Sequence, residues 1–135
     1  MSKHLDSDIT NEVIDFTNRF MFYDLIFNEY IELATKVHEG KNFVVDNLHL
    51  LSRSYRKNVQ LFANESIEMV KGMEETVDTS LTTRINQRLN HYIKALNKVF
   101  TFMDLEENDY HDQVKVANDL RAAKKDLYLS LQTAF

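Results

Sequence analysis

Carboxylates and histidines are the residues through which a helical chain can build a metal centre, so their spacing is tested first. The chain holds five histidines, His4, His38, His49, His91 and His111, and no cysteine. A di-metal site in a helical bundle takes a Glu from each of two helices and a Glu-x-x-His from each of the other two. The nearest match is Asp46-Asn47-Leu48-His49, with Glu29 and Glu32 upstream. His111 has Asn108 three residues before it, and no carboxylate lies between Thr79 and Phe102. One of four segments therefore contributes no acid, and the ligand set cannot be assembled. His38, His49, His91 and His111 read as surface or boundary residues, and no metal or other cofactor is expected.

Covalent catalysis finds no better footing. Without cysteine there is no thiolate nucleophile and no disulfide framework. No serine sits in a G-x-S-x-G elbow, and Gly40 and Gly72 are too far apart to form a phosphate-cradling loop. The acid pairs Glu74-Glu75 and Glu106-Glu107 fall at helix junctions, where water keeps carboxylates ordinary. No catalytic residue is assigned, and the chain is expected to be non-enzymatic.

Charge is more telling in its distribution than in its sum of −5. Residues 4–39 carry eight acids (Asp6, Asp8, Glu12, Asp15, Asp24, Glu29, Glu32, Glu39) against Arg19 and Lys36. Residues 79–103 carry Arg84, Arg88, Lys94 and Lys98 and no acid. At 100° per residue, Arg84, Arg88, His91, Lys94 and Lys98 form one stripe beside an apolar seam. Such a stripe is either a solvated face balanced by neighbouring acids or a footprint for an acidic surface or nucleic acid. Nucleic acid is the weaker option, because the sequence pI is near 5.5. Arg53, Arg56 and Lys57 form a second basic group that can join the stripe.

The segment Phe20-Met21-Phe22-Tyr23-Asp24-Leu25-Ile26-Phe27 is apolar on more than one face. A single core seam accounts for Phe20, Tyr23 and Phe27. Ile14, Met21 and Leu25 cluster roughly opposite that seam, with Phe22 and Leu33 between. Two arrangements satisfy the pattern. Either neighbouring helices cover these residues, or Ile14, Met21, Phe22 and Leu25 form a patch that closes a dimer or binds another protein. Asp24 and Glu32 then read as the polar rim of that patch.

The elements that must carry these residues follow from periodicity. Apolar residues at Ile9, Val13, Phe16, Phe20, Tyr23, Phe27, Tyr30, Ala34 and Val37 step by alternating fours and threes, an unbroken heptad seam. The second seam runs Val44, Leu48, Leu51, Tyr55, Val59, Phe62, Ser66, Met69, Met73, with a stutter at Tyr55. The third is Leu81, Ile85, Leu89, Tyr92, Leu96, Val99, Met103. The fourth is Val116, Leu120, Ala123, Leu127, Leu131, Ala134. Helices are expected over about 8–39, 43–75, 80–104 and 109–133, with Gly72 weakening the end of the second. The terminal Phe135 reads as a last core contact, with a short docking tail as the alternative.

The composition agrees with long helices. The 135 residues include no proline and two glycines, where average usage would supply roughly seven and nine. Turn-rich β architectures are excluded on that ground. One all-α domain follows, an antiparallel up-down-up-down four-helix bundle; the alternative is a pair of hairpins that completes its core in a dimer. The first residues lack the apolar run of a signal peptide, and no apolar run approaches the ~20 residues that span a bilayer. A cytoplasmic protein that does not engage membranes is expected. It is read as a helical interaction or regulatory protein that self-associates, with a dimer favoured, or binds a protein partner. Nucleic-acid association through the basic stripe is one alternative, and a small-ligand or metal site inside the bundle is another.

Overall fold

The computed structural model describes residues 7–38, 45–76, 79–103 and 110–133. They form four helices: α1 (Ser7–His38), α2 (Val45–Thr76), α3 (Thr79–Met103) and α4 (Tyr110–Gln132). Among the described residues there is no strand. Consecutive helices joined by short connections pack antiparallel, so the chain runs up, down, up, down. Helix ends fall within two residues of those the seams predict.

The seams supply the core. Val13, Phe16, Phe20, Phe27 and Tyr30 of α1 pack with Tyr55, Val59, Phe62, Met69 and Met73 of α2. Ile85, Leu89, Tyr92, Leu96 and Val99 of α3 and Val116, Leu120, Ala123, Leu127 and Leu131 of α4 complete the same cluster. One chain closes this core by itself, so the paired-hairpin dimer is not needed to bury it. Two of the buried hydroxyls are satisfied locally. Thr17 donates to the Val13 carbonyl at 2.7 Å and Ser66 to the Phe62 carbonyl at 2.8 Å, the back-bond that lets a hydroxyl sit inside a helix.

Gly72 neither ends nor shortens α2, which continues to Thr76. Val70 and Met73, on either side of it, are buried, and that packing outweighs the glycine penalty of about 1 kcal/mol. Residues 77–78, Ala134 and Phe135 lie outside the described residues, and so do the side chains of His38, His49 and His111.

Phe62 is the hub of the interior. Its ring lies 5.7 Å from Phe16, 5.8 Å from Phe20, 5.4 Å from Tyr23, 6.2 Å from Phe27 and 5.5 Å from Tyr92. Most of these pairs are tilted or edge-on, the arrangement the ring quadrupoles favour. The centre of the bundle, where a ligand or metal would sit, is thus occupied by packed rings. The helices do not meet equally. The α3–α4 and α1–α2 interfaces are the most extensive, and the α1–α4 seam is thin.

Candidate functional site

The outward face of α1 answers the ambiguity left by the aromatic segment. Ile14, Met21, Phe22 and Leu25 are all exposed, and Ile26 joins them. Phe22 is 70% exposed and Leu25 65%. Neighbouring helices leave this side uncovered because α1 needs only one face for the core: α2 packs on one flank and α4 on the other. Leu33 is half-buried. Glu12, Asp15 and Glu29 lie exposed on the same helix. Its two bases are occupied: Arg19 Nε lies 3.3 Å from Glu65 of α2, and Lys36 Nζ lies 3.4 Å from Glu32.

Asp24 does not belong to the rim of that patch. It is 2% exposed and faces inward, while Glu32 is exposed as expected. At 100° per residue Asp24 lies between Phe20 and Phe27 on the one side and the α4-facing flank of α1 on the other. Three donors surround its carboxylate. Tyr92 of α3 donates its hydroxyl to Oδ1 at 3.0 Å, Asn28 donates its amide to Oδ2 at 3.0 Å, and Lys124 Nζ of α4 lies 2.5 Å from Oδ2. A buried charge is tolerated only with such pairing. The cluster joins α1, α3 and α4 across the sparse α1–α4 seam. It acts as a clamp that ties three helices to one buried carboxylate.

The tyrosines around this centre are held neutral. Burial raises the Tyr92 phenol well above its ordinary value, and the Asp24 charge and hydrogen bond push it further. Tyr55 is raised by burial and then by the neighbouring Tyr30, whose ring stacks on it at 4.3 Å. Its hydroxyl donates to the Leu96 carbonyl of α3 at 2.6 Å. The stutter in the second seam sits at this residue. Tyr23, at the edge, is raised by partial burial and by Glu65, with Arg19 opposing.

On α3, Arg84, Arg88, His91, Lys94 and Lys98 are all exposed. Arg88 Nη1 lies 3.9 Å from Asp126 of α4, which sets this member of the stripe on the α4 side of α3. Arg84, Lys94 and Lys98 have no ion-pair partner among the described residues. A groove of about 440 Å³ opens between the end of α2 and the start of α3, lined by Glu74, Thr79, Thr82, Thr83, Asn86 and Gln87. Among the described residues no group of three or more His, Asp or Glu is placed to hold a metal ion, and no helix is long and apolar enough to cross a membrane.

No protein-family model matches the chain, and no solved structure matches it. It is similar to a valine--tRNA ligase of Mesoplasma florum, 24% identical over 125 residues, which is 89% of this chain and 14% of that protein. The chain thus spans about a seventh of the length of the relative it matches.

Proposed function

We propose that this is a non-enzymatic helical interaction protein of the cytoplasm whose working surface is the outward face of α1. The observation that carries the reading is the exposure of Ile14, Met21, Phe22, Leu25 and Ile26 side by side on one helix. Large apolar residues scattered singly are ordinary on a surface; a contiguous set marks a binding face. Phe22 and Leu25 supply the anchor side chains on which binding energy concentrates. A second copy or another protein can occupy the face. Light scattering of the wild type and of Leu25→Arg tests this, with monomer mass 15.9 kDa. Because Leu25 is exposed, the variant should fold normally and lose association. A monomeric wild type whose partners and fold are unchanged by Leu25→Arg removes the face as an interface.

A second reading rests on α3. Arg84, Lys94 and Lys98, exposed and without an ion-pair partner among the described residues, suit contact with phosphates, and the similar Mesoplasma florum protein is by name a ligase of tRNA. Phosphate contacts release counterions, so affinity must fall linearly on a log scale with salt. Binding of mixed-sequence RNA and DNA at low salt tests it, and no binding there ends the reading.

A further inference from the structure

The acids of α1 bear on what the exposed apolar face takes. Asp15 and Glu29 stand seven residues to either side of Phe22, the most exposed member of the patch. Both are exposed, and neither has an ion-pair partner among the described residues. Glu12 adds a third such charge. The bases that would balance them, Arg19 and Lys36, are engaged with Glu65 and Glu32.

This pattern works against pairing of α1 with the α1 of a second copy. An antiparallel α1–α1 contact centred on Phe22 sets Asp15 of each copy opposite Glu29 of the other. A parallel contact sets each acid against its own counterpart. Like charges brought together across an interface oppose association. Docking of α1 on the basic stripe of another copy's α3 fails for the opposite reason. That stripe offers charge, but its exposed neighbours Gln87 and Asn90 give Phe22 and Leu25 no apolar surface to bury against.

Resting on the interaction reading above, we infer that the face of α1 bearing Phe22 and Leu25 receives a basic amphipathic helix from another protein. Its apolar stripe covers Ile14, Met21, Phe22 and Leu25. Its lysines or arginines flank that stripe and pair with Asp15 and Glu29. Helix-on-helix docking of this kind is read through anchors at i, i+3, i+4 and i+7, and charge at its edges sets partner choice.

The test uses three labelled synthetic peptides of about 18 residues, long enough for a helix of several turns. One carries leucines at helical spacing flanked by lysines. The second replaces the lysines by glutamates. The third has the first one's composition with the apolar spacing scrambled. Fluorescence anisotropy with the full chain should show the lysine peptide binding at least about tenfold tighter than either control, and weakening with salt. Phe22→Ser with Leu25→Ser should abolish binding while circular dichroism stays unchanged. Asp15→Lys with Glu29→Lys should shift preference to the glutamate peptide. Equal binding of the lysine and glutamate peptides, or of the scrambled peptide, overturns the inference, and so does equal binding by the charge-reversed variant. Lysine-peptide binding only to anionic vesicles, and not to the chain, does the same. A wild-type dimer that Leu25→Arg dissolves overturns it while leaving the interaction reading intact. A monomer that binds no peptide removes both.

Discussion

Removing the Lys124 ammonium should expose how much the buried carboxylate depends on it. At 2.5 Å and an effective dielectric near 20, the gross attraction between Lys124 and Asp24 is about 6–7 kcal/mol. Desolvation of the carboxylate offsets most of this, because Asp24 is 2% exposed. Breaking a buried pair from one side costs about 3–5 kcal/mol. The Lys124 side chain is 34% exposed, and Tyr92 and Asn28 remain as donors. Lys124→Met should therefore cost about 2–3 kcal/mol, below that range. Out of a total stability of about 5–15 kcal/mol this is a large share. It corresponds to a fall in melting temperature of roughly 6–12 °C. In an Asp24→Asn background the same substitution should cost under about 1 kcal/mol, because no buried charge is left to orphan. Urea unfolding followed by circular dichroism gives all four values, with the slope unchanged. Equal cost in both backgrounds, or a cost under about 1 kcal/mol in the wild type, would refute the claim that the pair is a clamp.

Other perturbations probe other parts of the bundle. Phe62→Ala removes the ring that touches five others and should cost about 4 kcal/mol or more, while Phe62→Leu should cost about half as much; thermal unfolding of the two variants reads the difference. Above about pH 10 the chain should lose stability. Tyr55 and Tyr92, whose folded values are raised, stay protonated in the native state while the same phenols ionise in the unfolded chain. Absorbance near 295 nm should show these two titrating only as the protein unfolds, and a stability that rises through this range would contradict their burial. Arg19→Ala, which breaks a partly exposed pair with Glu65, should change stability by about 1 kcal/mol in a denaturant titration.

The seams were legible because burial in a helix repeats every three to four residues. Val13, Phe16, Phe20 and Phe27, or Ile85, Leu89, Tyr92, Leu96 and Val99, can be read as core without knowing what they meet. The exposure of Met21, Phe22 and Leu25 was not decidable in the same way. A helix apolar on two sides is compatible with cover by two neighbours or with an exposed face, and only the placement of α2 and α4 chooses. Asp24 was misread for a related reason. Its partners Tyr92 and Lys124 lie 68 and 100 residues further along the chain, so nothing local announces the pairing. One sign was present: Asp24 is the lone charge in the run from Phe20 to Phe27. A solitary acid amid residues bound for the interior implies a donor arriving from elsewhere.

The unequal helix interfaces bear on how the molecule assembles. The two most extensive contacts, α1 with α2 and α3 with α4, join segments adjacent in the chain. Loop closure for each hairpin therefore costs little entropy, and contacts of this locality belong to folds that form in microseconds to milliseconds. What remains is to bring two preformed hairpins together, and there the sequence-distant contacts concentrate: Phe20 and Phe62 on Tyr92, the Tyr55 hydroxyl on Leu96, Asp24 on Lys124. Substitutions within a hairpin, such as Val116→Ala, should then slow folding. Substitutions at the docking surface, such as Tyr55→Phe, should leave the folding rate nearly unchanged and speed unfolding. The barrier to losing the native state would thus reside in a handful of polar and aromatic contacts between halves, while the speed of reaching it is written into each half alone.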